Sequence, residues 1–372
     1  MLRKIISLIR VISFHATRTY KIIIFDDYSQ KLLCEILDLQ TNYPNEILGL
    51  NTRNQKIFIN FKILLYFVIY LTNNPLRLSY YLAFLKCFKP KVVITFNPLD
   101  KNFDLLIQKY PLAKFISISN GPMIRGYPQN ITNRVYDIFY ATNYFQQTLL
   151  SDHGSLFQKC EILGPFLNSY FLKNIESKIS NENEFDICLI SQFEGVVDEA
   201  KFCSGFNDAV RAPAIILGQF LKQNPELKVV VAMRSNQVHG AEEEFFRQHL
   251  GEKAILSTNY QGDPFASYKL LLKSKVVVGG FSTLCLESLD LGRKTFLINY
   301  TLPELFQITS GWKFTLNENS LILFSQLFNE LISLSESEYE NLLLSTNQWK
   351  FNSRHQKLAC DIIKEDIKKI LA

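Results

Sequence analysis

An α/β fold built from two parallel-sheet domains is predicted by three features of the sequence. Short unbroken runs of Val, Ile and Phe recur along the chain, as at 21–25, 91–96, 228–233 and 275–279. Strands buried on both faces read this way, because helices cover the two sides of a parallel sheet. Each run is followed by a segment of helical periodicity. The series is interrupted by a polar stretch at 173–184, rich in Asn, Ser, Glu and Lys, that lacks an apolar face and reads as an interdomain linker. A length of 372 residues fits two domains of ordinary size.

The first domain, 1–172, opens with a strand at 21–25 that ends in Asp26-Asp27, and a helix at 29–39 follows. Two apolar segments, 60–72 and 76–88, are expected to be largely buried helices. Next come a strand at 91–96, a loop at 97–100, a helix at 103–110 and a strand at 114–119 that ends in Asn120-Gly121. A strand at 137–141 and a helix at 143–152 follow, and a short strand and turn at 161–166 close the domain. The second domain, 185–316, alternates strands at 185–191, 228–234, 253–257, 275–279 and 294–299 with helices at 207–223, 241–250, 264–273 and 284–291. The tail, 317–372, is helical, and a return to the first domain is open to it. Two such domains on one linker would face a cleft, with ligands at the carboxyl ends of the strands.

Composition narrows the function. Apolar residues make up 47% and charged residues 20%, so substantial cores can form and disorder is excluded. The net charge is +5, and Lys and Arg are scattered rather than striped among aromatics, which argues against nucleic-acid binding. Arg3, Lys4, Arg10, Arg18 and Lys21 precede the first acid, Asp26. That basic, apolar start suits contact with an anionic membrane face, and a buried first strand with solvated flanks explains it equally well. No run reaches the length of a membrane span. The seven cysteines are dispersed without a CxxC pair, which points to a reducing, cytoplasmic setting and away from a metal cluster. Zinc-protease, P-loop and serine-elbow motifs are all missing.

The densest chemistry lies in 275–299. A strand runs into Gly279-Gly280-Phe281-Ser282-Thr283, then a helix carrying Glu287, then Gly292 and a second strand. Gly, Ser and Thr at the start of a helix offer backbone N–H groups and hydroxyls to a phosphate, and Glu287 one turn on could take a ribose. An ordinary helix cap gives the same pattern. Arg234, at the end of strand 228–234, suits a diphosphate or a sugar carboxylate, or else a surface pair with Glu242 or Glu243. Ser191 and Gln192 sit at the equivalent place one strand away. In the first domain Asp100 follows a buried strand, where a carboxylate can act as general base or nucleophile, or simply cap the next helix. Asn120 and Gly121 offer an amide and a backbone N–H. Asp26 and Asp27 are the alternative carboxylates, with an Asx-turn as their plainer role.

These residues carry a family resemblance. Phe185-Asp-Ile-Cys-Leu-Ile-Ser-Gln192, Val230-Val-Ala-Met-Arg-Ser235, Ser267-Tyr-Lys-Leu-Leu271 and Val277-Val-Gly-Gly-Phe-Ser-Thr-Leu-Cys-Leu-Glu287 resemble the C-terminal half of bacterial surface-carbohydrate biosynthesis transferases of GT-B type. Such enzymes serve capsule and lipopolysaccharide assembly. More distantly, the chain is similar to CDP-glycerol glycerophosphotransferases and Kdo transferases. The resemblance implies a GT-B-like fold and a cytoplasmic, metal-independent glycosyltransferase. Its donor would be a nucleotide sugar, CMP-linked as a first choice, and its acceptor a glycan or lipid-linked glycan. Ser282, Thr283 and Glu287 would hold the nucleotide, with Gly280, Arg234, Ser191, Gln192, Asn120 and Gly121 around it, and Asp100 would be the catalytic carboxylate. The nucleotide sugar is then a substrate, and no cofactor is expected. Asn120-Gly121 and Arg234-Ser235 depart from the pairs common in the distant relatives, which leaves the donor open. Polyol-phosphate transfer from a CDP-polyol and non-catalytic nucleotide-sugar binding are the alternatives.

Overall fold

The computed structural model describes residues 12–14, 19–25, 29–50, 57–119, 121, 131–175, 182–193, 195, 205–234, 239–257, 263, 265–301, 311–346 and 357–372. The chain forms two compact units, Met1–Phe166 with Gln356–Ala372, and Leu167–His355. Each is built on a six-stranded, wholly parallel sheet.

In the first unit the elements run β1 (Ile12–Phe14), β2 (Ile22–Ile24), α1 (Gln30–Ile36), α2 (Leu39–Asn42), β3 (Ile47–Gly49), β4 (Ile57–Ile59), α3 (Phe61–Leu71), α4 (Leu76–Phe88), β5 (Val92–Thr95), α5 (Lys101–Lys109), β6 (Lys114–Ile118), β7 (Val135–Ala141), α6 (Tyr144–Asp152) and β8 (Leu156–Ile162). The sheet order is β3-β2-β5-β6-β7-β8, so the winding reverses between β2 and β5. The short parallel pair β1–β4 stands apart from it. Ile22, Ile23, Ile24, Val92, Val93 and Ile94 are all buried, as their unbroken apolar runs require.

In the first unit the edge strand β3 is absent from the sequence expectations and β8 is longer than the short strand expected at 161–166, for a physical reason. β8 alternates exposed and half-buried residues along most of its length, and β3 has three residues, so neither shows an apolar run. A second departure concerns the apolar helices. α4 is buried as expected, but α3 is not: Ile63 is its buried residue, while Phe61, Leu64, Leu65, Val68, Ile69 and Leu71 are exposed. Apolar composition says that a surface would gain from being covered, and not that the chain itself covers it.

The second unit contains α7 (Phe166–Asn174, whose first residue belongs to the first unit), β9 (Phe185–Ile190), α8 (Phe206–Gln223), β10 (Val229–Ala232), α9 (His239–Leu250), β11 (Ile255–Ser257), α10 (Ala266–Leu272), β12 (Ser274–Gly279), α11 (Thr283–Asp290), β13 (Thr295–Ile298), β14 (Thr315–Leu316), α12 (Leu321–Ser333) and α13 (Glu336–Ser345). A final helix, α14 (Ala359–Leu371), returns to the first unit. There Asp366 accepts from the Tyr140 hydroxyl at 2.7 Å, and Lys91 Nζ donates to the Leu371 carbonyl at 2.9 Å. The contact division between the units falls at Phe166, and the first part of the polar stretch at 173–184 is the end of α7.

Candidate functional site

The second unit's sheet runs β11-β10-β9-β12-β13-β14. Numbered along the chain this is 3-2-1-4-5-6, the doubly wound order whose ligand crevice opens outside the carboxyl ends of strands 1 and 4. Those strands are β9 and β12. Ser191 and Gln192 follow the first, and Gly280, Phe281, Ser282 and Thr283 follow the second. Sequence positions about ninety residues apart are thereby brought together. The contact is close: a Cβ added to Gly280 would lie 2.8 Å from Gln192 Oε1. That oxygen is shielded from solvent and has no hydrogen-bond partner among the described residues. Ser282 caps α11, its hydroxyl accepting from the Leu284 N–H at 3.3 Å, and Ser282, Thr283 and Leu284 remain partly exposed. The cap reading of the Gly-Gly-Phe-Ser-Thr turn is therefore realised. It coexists with a helix N-terminus aimed at the switch point, where its partial positive charge favours an anion.

Ser191 and Arg234 converge on one carboxylate. The Ser191 hydroxyl donates to Glu242 Oε1, and the Arg234 backbone N–H donates to the same oxygen at 3.3 Å. Glu242, on α9, is buried. The sequence reading offered it as a surface partner for the Arg234 side chain. In the structure it holds the Arg234 main chain, joining the ends of β9 and β10.

Glu287 is turned inward. It is 5% exposed, and burial, aided by the nearby Asp290, pushes its carboxyl up to about 7. The Tyr268 hydroxyl of α10 lies beside it, close enough for electrostatic coupling but outside strict hydrogen-bond geometry. Asp290, on the same helix, accepts from Asn168 Nδ2 at 2.6 Å, and that amide also donates to the Glu287 carbonyl at 2.8 Å. Asn168 therefore clamps α11 from α7, and Phe171 packs on Tyr268 one turn further along. Neither Asn168 nor Asp290 could be found from sequence, because a lone Asn and its partner 122 positions away leave no local pattern.

In the first unit Asp100 lies in the loop after β5, at the reversal of that sheet. It is the N-cap of α5: its Oδ1 accepts from the Asn102 N–H at 2.8 Å and from Asn102 Nδ2 at 3.0 Å. The loop is pinned from behind, since Arg134 Nη2 and the Tyr136 hydroxyl each donate to the Pro98 carbonyl at 3.2 Å. Arg134 is itself buried and pairs through Nε with Asp104 Oδ2 at 2.8 Å. Burial pushes the Asp104 carboxyl up to about 7 despite the neighbouring guanidinium. Gly121 follows β6 at a φ of 149° that favours glycine; its carbonyl accepts from Ser119 Oγ at 2.8 Å and from Gln146 Nε2 at 3.1 Å. Its N–H points back to Ser119 Oγ at 3.4 Å. Asn120, Asp26 and Asp27 lie outside the described residues. Among the described residues no three His, Cys, Asp or Glu side chains gather as a metal set would.

With this geometry in view, the comparisons with known proteins bear on both units. Residues 164–320 match the model of a family described as "putative O-antigen biosynthesis protein". That is under half of the chain, and it contains β9 to β14 and the whole switch-point site. No curated protein matches the chain in sequence. Among solved structures it is similar to a "putative UDP-N-acetylglucosamine 2-epimerase" from Listeria monocytogenes, with a TM-score of 0.59 at 11% identity, over 94% of this chain and 96% of that one. The UDP-GlcNAc 2-epimerase of Neisseria meningitidis, solved with UDP-GlcNAc, gives 0.55 at 14%, over 95% and 100%. The wall teichoic acid polymerase TagF gives 0.52 at 13%, over 94% and 89%. The chain thus has a GT-B-like α/β fold, and over its second unit it is similar to an O-antigen biosynthesis family.

Proposed function

We propose that the chain is a glycosyltransferase of surface-polysaccharide assembly that takes its sugar from a nucleotide-activated donor. The observation that carries this reading is the meeting of Ser191-Gln192 with Gly280-Phe281-Ser282-Thr283 at the β9–β12 switch point. The glycine pair lets a ligand approach the main chain, the start of α11 favours the diphosphate, and the unpartnered Gln192 oxygen can accept from a base or sugar hydroxyl. The inward Glu287 serves in this scheme by fixing α11. It reaches a ribose only if binding turns it away from Tyr268.

Asp100 is the proposed catalytic carboxylate, accepting the proton of the attacking acceptor hydroxyl. The pinned Pro98 carbonyl and the Asn102 contacts hold it in place before substrate arrives. Arg234 and the helix N-terminus are the proposed stabilisers of the leaving phosphate, so the chemistry needs no metal in this reading. The acceptor is a membrane-borne glycan, and the donor nucleotide is CMP, UDP or GDP.

The test uses Asp100→Asn, because Asn caps a helix as well as Asp does while losing the basic oxygen. Turnover of a nucleotide sugar by purified protein should fall by about 10²-fold or more, within the range of general-base catalysis, with donor affinity and melting temperature kept. Unchanged turnover would sink the assignment. The fold likeness to TagF favours polyol-phosphate transfer as a second reading, and product analysis separates the two by whether phosphate travels with the transferred group. Consumption of donor without any acceptor would instead favour an epimerase, the activity named for the other two structural neighbours.

A further inference from the structure

We infer that α3 is a bilayer-docking helix that seats the first unit on an anionic lipid surface. This inference does not depend on the transferase reading. Eleven residues long, Phe-Lys-Ile-Leu-Leu-Tyr-Phe-Val-Ile-Tyr-Leu is apolar on almost every side. One stripe, Ile63 with Tyr66, Phe67 and Tyr70, lies on the core at α4. The opposite stripe runs through Phe61, Leu64, Leu65, Val68 and Ile69, the i, i+3, i+4, i+7, i+8 pattern of a helix face that expects a partner. Phe61 is 81% exposed, Val68 63%, Ile69 54% and Leu65 52%. Leu76, at the start of α4, extends the patch at 66%.

The face is built rather than frayed. Asn60 caps α3 by accepting from the Ile63 N–H at 2.8 Å, and the Tyr80 hydroxyl accepts from the Phe58 N–H at 2.9 Å, tying β4 to α4. At about 1.5 Å per residue the helix is about 16 Å long, too short to span a bilayer, so it would lie in the interface.

Charge selects the occupant. Between Glu46 and Asp100 the chain carries Arg53, Lys56, Lys62, Arg77, Lys86, Lys89 and Lys91, and no acid. Pairing of β1 with β4 anchors the strand that leads into α3. Lys62 on α3 and Arg77 beside Leu76 are both exposed, and apolar side chains flanked by cations complement anionic headgroups over acyl chains. A second copy of the same face would bring like charges together, so self-association is disfavoured.

The test is co-sedimentation of the full chain with vesicles of phosphatidylethanolamine and phosphatidylglycerol, against phosphatidylcholine alone. Wild type should partition at least about tenfold better into the anionic vesicles, since each basic residue near the surface contributes about fivefold. Leu65→Glu with Val68→Glu, both at exposed positions, should lower that partition at least about tenfold while leaving the melting temperature unchanged. Val68→Trp should show blue-shifted emission, quenched by brominated acyl chains. Equal sedimentation of the double variant, or no binding by wild type, overturns the proposal. So does a dimeric mass by light scattering that the double variant reduces to a monomer, because a second copy would then cover the face.

Discussion

Glu287→Gln should reverse part of the pH dependence of the second unit's stability. In the folded chain burial holds this carboxyl protonated up to about 7, against an ordinary value of 4.5. Below pH 4.5 both states carry the proton, and the group contributes nothing to the pH slope. As pH rises from 4.5 to about 7 the unfolded chain gives up its proton first, so wild-type stability falls, and above 7 the loss is complete. At 1.36 kcal/mol per pH unit the whole window amounts to about 3 kcal/mol, most of which falls between pH 5 and pH 8. Glutamine keeps the shape and stays neutral, so the variant should gain that much over wild type at pH 8 relative to pH 5. Urea denaturation read by tryptophan fluorescence follows the second unit through Trp312. Trp312 is buried there, its indole N–H donating to the Thr295 carbonyl at 2.9 Å. A variant-minus-wild-type difference that is the same at both pH values would show that Glu287 is ionised in the folded state. The account of its burial would then be wrong.

The neighbouring glycines separate packing from binding. Gly279→Ala places a Cβ 2.4 Å from the buried Cys285 Sγ and should cost about 1–3 kcal/mol in urea denaturation, as overpacked cores do. Gly280→Ala crowds the end of the Gln192 side chain and is otherwise in ordinary contact, so it should melt close to wild type yet weaken nucleotide-sugar binding by calorimetry about tenfold, one misplaced polar contact. Asn168→Ala strips the donor from the buried Asp290 and should lower stability by about 1–3 kcal/mol or more; Asn168→Asp should be worse, because two carboxylates then face each other.

How much of this was legible beforehand follows from the range of each interaction. The apolar runs at 21–25, 91–96, 228–233 and 275–279 name their strands, because burial on both faces leaves little room for polar residues. β3 and β8 were missed or shortened because an edge strand carries no such requirement. Asp100 and Ser282 were correctly placed at strand ends before helices. Their capping bonds were the plainer of the two readings offered for each, and the structure contains those bonds. The expected burial of α3 failed because its pattern reports an apolar surface without saying what covers it.

By itself the sequence determined the two-part α/β architecture, the strand–turn–helix units and the residue types at their ends, all consequences of local periodicity and backbone chemistry. The tertiary structure alone decided the sheet order that puts β9 beside β12, the clamp of Asn168 on Asp290, the inward turn of Glu287 and the outward face of α3. Each of these depends on which distant segments share a neighbourhood. That is set by the summed burial of the whole chain, which no window of sequence contains.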